Sequence, residues 1–350
     1  VEFPYTLYSD DFLWVPPFRD NVYAYMADSD PFFQRGTEQR FLALRGGKVV
    51  ARAAAIINPT LPQSPPTGFF GFFDCEDDLE AVRVLMEAVC AFLKEKGCNI
   101  VKGPLNRDAW HGYRVMTKGF REQPIYLEPY NGLWYCKYLE EVGFRPAVEF
   151  ISAINVQPQR VLDAYKGGIT FAESKGVKFR SFDMDKFDSE MKLLYDIFNA
   201  TVDNEFGYKS LSFKDFKSRY EGLKDLLDPD VIILGLAPNG QAAGYIFGMP
   251  ECSRPIASMG GNRGFFSRIQ YWLNTRQRSP ILNYTPPRVV PAASGKGMTN
   301  ALKYKLYEAA IAGGYTRTHY RTVRKDVLAQ RPEEDAKVTY KEYALYAKHI

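Results

Sequence analysis

The same order of structural signals runs through this 350-residue chain twice, and that repetition limits it to a fold built of two like halves. In residues 41–58, FLALRGGKVVARAAAIIN, apolar stretches flank Gly46-Gly47, which predicts a hairpin. GFFGFFDCEDD then reads as a strand ending in acids, and LEAVRVLMEAVCAFLKEKG carries apolar residues at helical spacing up to Gly97. Asn99 to Lys102 begins another strand; from Ile125 to Phe150 the pattern predicts a strand, a turn at Asn131-Gly132, a helix through Leu139 and a final strand. The second half repeats the order: GVKFRSF as strand, two helices, a hairpin about Asn239-Gly240, then strand, glycine loop and helix over RVVPAASGKGMTNALKYKLYEAAIAGGY. THYRTVR and YKEYALYAK alternate as closing strands. The boundary falls near residues 150–177, where no long linker is seen, so the halves are expected to pack closely.

Composition narrows the class. Hydrophobic residues make up 46% and charged residues 25%, which excludes global disorder. No run of about 18 apolar residues and no export signal is visible, so a cytoplasmic chain without a membrane span is expected. Five cysteines without a CxxC pair and only three histidines argue for reduced thiols and against a Cys/His metal site. Charge is uneven: residues 1–150 carry 16 Lys/Arg against 20 Asp/Glu, residues 151–350 carry 29 against 21. The second half is the expected home of a phosphate-bearing partner, although the net charge of +4 is too small for a dedicated DNA binder.

The most informative stretch is Val289 to Thr299, VVPAASGKGMT. Its glycines let the backbone turn sharply, and the helix that follows aims unpaired amides and a positive dipole end at the loop, a seat suited to pyrophosphate. Val289, Val290, Ser294, Gly295, Lys296, Gly297, Met298 and Thr299 are the candidate cofactor-binding residues. A nucleotide P-loop fails at two positions, where Val290 and Gly297 replace the required Gly and Ser/Thr. A tight strand-to-helix turn with glycines needed only for geometry is the bland alternative.

Gly295 and Gly297 in this setting resemble the pyrophosphate loop of the GNAT superfamily of CoA-dependent N-acyltransferases, Gln/Arg-x-x-Gly-x-Gly/Ala, with Ala292 in place of the usual Gln or Arg. WVPPFRD at Trp14, DPFF at Asp30, TGFFGFFDCEDD at Thr67, KGPLN at Lys102, EPYNGLWYCKYLEEVGF at Glu128 and LDPDVIIL at Leu227 are similar to a two-domain bacterial branch of that superfamily, so the resemblance spans nearly the whole chain. It implies an α/β (α+β) protein of two GNAT-like domains in tandem, residues 1–155 and 156–350, each a mixed, mainly antiparallel sheet flanked by helices.

The resemblance further implies an acyl-CoA co-substrate, acetyl-CoA or longer, or a carrier-protein phosphopantetheine thioester, attacked directly by the amine of a small metabolite, with no metal and a monomeric chain. The pantetheine would run along Arg288 to Pro291, with the Val290 amide or a neighbour polarising the thioester. In the first half Asp74-Cys75-Glu76-Asp77-Asp78 stands where a donor loop would follow the strand, and its carboxylates would repel pyrophosphate. That half is expected to have lost donor binding, the acids capping a helix rather than holding a metal.

For proton transfer the candidates are Glu205, in DNEFGY, and His319 or Tyr320, of which strand alternation lets only one face the cleft. Arg324-Lys325-Asp326-Val327 replaces the family's Glu-Asp-Asn, and Tyr340, Tyr343 and Tyr346 are candidate acids toward the sulfur. Residues 260–278 mix arginines and aromatics, as a lid or as an amphipathic helix packed on the domain. An aminoacyl-tRNA-dependent ligase of the FEM type and a non-catalytic CoA or metabolite sensor on the same scaffold remain the competing functions.

Overall fold

The computed structural model describes residues 1–350 apart from 62–65, 203–206, 209–210, 276–278 and 329–336, and apart from the side chains of 327–328 and 337–339. After the short helices α1 (Phe3–Leu7) and α2 (Arg19–Met26), strands β1 (Thr37–Arg45), β2 (Lys48–Ile57) and β3 (Thr67–Cys75) form an antiparallel meander whose first turn is Gly46-Gly47. Helix α3 (Leu79–Glu95) buries Ala81, Val82, Leu85, Met86, Val89 and Leu93, the stripe its apolar spacing predicts. Each large side chain in that stripe contributes roughly 1.5–3 kcal/mol through burial. The helix returns the chain to β4 (Ile100–Gly103), parallel to β3.

β5 (Val115–Lys118), α4 (Tyr135–Glu141) and β6 (Arg145–Asn155) complete the first half. The strand expected from Ile125 is absent. Asn131 instead pairs with β5 through its side chain, accepting from Met116 N at 2.7 Å and donating to Met116 O at 3.3 Å, as a neighbouring backbone would.

The second half begins with α5 (Pro158–Ser174), which the periodicity left unassigned. Its Val161, Tyr165, Ile169 and Ala172 are buried, and Gly168 lets a neighbouring helix approach so closely that an added Cβ would lie 2.6 Å from Asn300 Cβ. β7 (Lys178–Ser181), α6 (Phe187–Asn199), α7 (Phe213–Glu221), β8 (Ile232–Leu236) and β9 (Ala242–Pro250) follow in the expected order. Then come α8 (Ser253–Ser258), α9 (Phe265–Thr275), β10 (Ile281–Tyr284), β11 (Arg288–Val289), α10 (Met298–Ala312), β12 (Arg317–Arg324), α11 (Lys325–Leu328) and β13 (Lys337–His349).

The strands form one sheet in the order β1-β2-β3-β4-β13-β6-β12-β10-β9-β8-β7, with β5 attached to β13 and β11 to β9. Both halves contain one strand–helix–parallel strand unit, β3-α3-β4 and β10-α10-β12, and the repeat seen in the sequence is therefore a repeat of structure. β6 and β13 lie between these units. β13 pairs with β4 on one edge and β6 on the other, so the last strand of the chain is embedded beside strands of the first half.

Half-buried Glu128 closes this seam, accepting from Ser152 Oγ at 2.5 Å, Thr322 Oγ1 at 2.6 Å and Tyr343 OH at 2.5 Å. Burial alone would raise its pKa, yet the Arg114 charge and the three hydroxyls hold the carboxyl below its ordinary range. In the second half, side chains from Val231 into β8 alternate between two cores: Val231 and Ile233 pack with α5 and α10, Ile232 and Leu234 with α6, α7 and α8.

Candidate active site

β10 and β12 pair from Ile281↔Arg317 to Tyr284↔Tyr320, and there the two strands part. Pro286 and Pro287 lack the N–H that would continue a ladder, and the chain next pairs as β11 with β9 alone, Arg288 opposite Tyr245 and Val289 opposite Gly244. The Val290 N–H is taken by Ala243 O at 2.9 Å. Alternation along β11 then directs the Val289 backbone to the opposite edge, toward the opening, so Val289 rather than Val290 has the amide placed to meet a ligand there.

The chain leaves this opening through Pro291–Ala293, a single 3-10 turn, and enters α10 over Ser294 to Gly297. Among the described residues no amide from Gly295 to Asn300 donates to a backbone carbonyl; the first to do so is Ala301, to Gly297 O at 3.1 Å. A Cβ on Gly295 (φ 76°) would meet nothing within 4 Å, so the loop has open space on that side. Gly297 (φ 73°) is the left-handed N-cap of α10, and a Cβ there would lie 2.7 Å from Phe171 Cδ1 on α5. Gly295 is thus the residue a ligand can approach, and Gly297 the one that seats the loop against the fold.

Of the other loop candidates, Ser294 and Thr299 are exposed and Lys296 half-exposed, whereas the Met298 side chain is buried against Gly235 and Gly244 and offers only its backbone. The matching place in the first half is filled by the protein itself. Asp78 caps α3, accepting from Ala81 N at 3.1 Å, and Arg45 grips its carboxylate at 2.6 and 2.9 Å. Asp77 accepts from Tyr138 OH, and Asp74 pairs with Arg52 at 2.7 Å.

Strand alternation separates the two β12 candidates. Tyr320, 1% exposed, faces the α5–α10 core, its ring 5.1 Å from Tyr284, and so is removed from the catalytic set. His319 faces the α6–α8 side one residue before the strands part, beside Asn283 of β10. It too is 1% exposed, yet neither ring nitrogen has a hydrogen-bond partner among the described residues. Burial lowers its pKa to about 4, an effect that nearby Glu128 opposes and that Lys341 and Arg317 reinforce, so the imidazole is neutral at pH 7.

Asn283 donates to Glu251 Oε2 at 2.5 Å and leaves its own Oδ1 without a partner; the Arg321 Nε is likewise buried and unbonded. Asn283, Glu251 and Arg321 were not singled out from the sequence, because each is an isolated polar residue whose neighbours come from different strands. Glu205 lies outside the described residues. Tyr343 and Tyr346 are drawn away from the opening, donating to Glu128 and to Glu140 Oε1 at 3.0 Å, while Tyr340 lies with its ring 5.0 Å from that of His319. Residues 325–328 form the short helix α11.

No family model matches the chain. It is 26% identical over 357 residues to a bacterial ceramide synthase of Caulobacter vibrioides, covering 93% of this chain and 92% of that one. It is 25% identical over 265 residues to protein YghO of Escherichia coli, covering 75% and 67%. Among solved structures it superposes on a tandem GNAT protein from the clavulanic acid biosynthesis pathway with a TM-score of 0.50 at 10% identity, covering 96% of this chain and 89% of that one. A GCN5-related glucosamine N-acetyltransferase region of a fungal β-N-acetylglucosaminidase gives 0.52 at 12% identity, covering 99% and 36%. Two strand–helix–parallel strand units on one sheet, the parting of β10 and β12 and these superpositions make the chain a tandem protein of the GNAT fold.

Proposed function

We propose that this protein is an N-acyltransferase that moves an acyl group from the thioester of acyl-CoA, or of a carrier-protein phosphopantetheine, to an amine. Residues 156–350 hold the donor, and residues 1–155, whose α3 terminus is occupied by Asp78, help wall the acceptor side. The observation that carries the reading is the run of unbonded amides from Gly295 to Asn300, beside open space and next to the parted strands. Six donors at a helix N-terminus suit a pyrophosphate, and the free edge of Val289 suits a pantetheine arm lying alongside it. Gly295, Lys296, Gly297 and Thr299 bind through backbone, charge or hydroxyl, Met298 through its amide alone.

In this reading the neutral amine attacks the thioester carbonyl carbon, the tetrahedral adduct expels the CoA thiolate, and the nitrogen loses one proton. Neutral His319, opposite Asn283 in the strand register at the start of the opening, is the proposed acceptor of that proton. Holding both reactants in one crevice supplies much of the acceleration. The likeness to a ceramide synthase over most of the chain supports a long-chain amino alcohol as the first acceptor class to try, since a ceramide is an N-acylated base of that kind. The test is release of free thiol from acyl-CoA of graded chain length with a panel of small and long-chain amines. Amine-dependent release that Gly295→Asp abolishes supports the reading; donor binding without release under any amine would identify a sensor instead.

A further inference from the structure

α9 is turned inside out. Ser267, Tyr271 and Thr275, spaced by four, are its inward, partly covered positions, while Phe265, Phe266, Ile269, Trp272 and Leu273 are 73%, 80%, 40%, 56% and 51% exposed. At 3.6 residues per turn these five fall within one arc of about 120°, pointing away from the protein. The helix therefore does not pack as an ordinary amphipathic helix, one of the two readings its sequence allowed; its apolar face lies in contact with solvent.

The chain segment that carries this face is basic, although Asp225 lies near Tyr271 on the inward side of α9. From Cys252 to Tyr307 the chain contains nine Lys/Arg and no Asp or Glu. Arg268 borders the apolar arc on α9, and exposed Arg254 lies on α8, which packs against it; neither has an acidic partner among the described residues. Arg263, just before α9, is held by Asp20 at 2.5 Å and covers Phe18.

We propose that the outer face of α9 docks on the surface of an anionic lipid bilayer, with Phe265, Phe266, Ile269, Trp272 and Leu273 entering the interface and exposed Arg254 and Arg268 resting on the headgroups. A helix of this composition lies in the plane of the interface, drawn by apolar burial and by attraction to anionic lipid together. The same segment leads directly into β10, so a docked α9 holds the parted strands close to the membrane. This inference goes beyond acyl transfer, and its test needs no turnover.

The full chain is to be mixed with vesicles of phosphatidylcholine alone and of phosphatidylcholine with phosphatidylglycerol, and recovered by flotation. Binding is expected to the anionic vesicles, with a blue shift of tryptophan emission. F266S combined with W272S is expected to reduce the partition coefficient about tenfold or more while the melting temperature stays close to that of the parent. R268E is expected to weaken binding to anionic vesicles without affecting residual binding to neutral ones. Absence of flotation, equal flotation of parent and double variant, or self-association that the double variant abolishes would each overturn the proposal, the last by showing that a second copy covers the face.

Discussion

His319 and Asn283 stand opposite one another on the parallel pair β12–β10, both 1% exposed, and among the described residues both imidazole nitrogens and the amide oxygen have no hydrogen-bond partner. Buried polar atoms without partners are costly, and a fold that keeps three of them at the point where its strands part gains nothing in stability from doing so. The pair is where an acceptor group would find hydrogen bonds that the protein alone does not satisfy.

His319 makes the protein acid-sensitive in a defined window. Its pKa is about 4 in the folded chain against 6.5 for an ordinary imidazole, so between these values the unfolded state binds the extra proton. Stability therefore falls as pH drops from 6.5 to 4, by on the order of 3 kcal/mol from this group, and is unaffected by it above 6.5. Urea unfolding of the parent and of His319→Gln at pH 7 and near pH 4 measures the difference. The variant should lack that part of the decline; an identical decline in both proteins excludes the assignment.

The two loop glycines should respond differently to alanine. Gly295→Ala meets open space and bears only the left-handed backbone penalty, about 1–2 kcal/mol. Gly297→Ala adds to that penalty a contact at 2.7 Å with Phe171, and should lower the melting temperature further. Gly295→Asp should leave a folded protein whose thermal shift with CoA is lost, because ligand no longer favours the native state. Thermal denaturation with and without CoA compares all three.

Tyr343→Phe removes a hydrogen bond that the buried tyrosine hydroxyl donates to charged Glu128 and is expected to cost about 1–3 kcal/mol. Its site is the β6–β13 seam, so KM for the donor should not change. A variant that loses turnover while keeping its stability would instead place this tyrosine in the chemistry.

Cutting the chain between residues 155 and 156 separates β6 from β13, which pair along most of their length. The 1–155 fragment alone would expose the facing edges of β4 and β6 and should not fold cooperatively. Mixed with 156–350 it should regain a sharp unfolding transition, followed by circular dichroism. Independent folding of 1–155 would show that β13 adds little to it.

Much of the architecture is legible along the chain because its signals are local. The hairpins at Gly46-Gly47 and Asn239-Gly240, the stripe of α3 and the glycine entry to α10 depend on neighbours a few residues away. β5 carries no such local signal, its pairing being completed by the Asn131 side chain, and in α5 Gly167-Gly168 interrupts the helical pattern at the place where α10 packs closely.

The order of strands and helices, the doubling of that order and the glycine loop that enters α10 were determined by the sequence itself, through periodicity and the backbone freedom of glycine. Which strand lies beside which was decided only in three dimensions. The last strand enters between β4 and β6, more than 180 residues from either in sequence, and no local pattern encodes so distant a partner. Alternation promised that His319 and Tyr320 face opposite ways, but only the packing of α5 and α10 showed that Tyr320 joins their apolar core while His319 is buried on the other face. The same holds for α9, whose periodicity marks an apolar face while tertiary packing leaves that face outward.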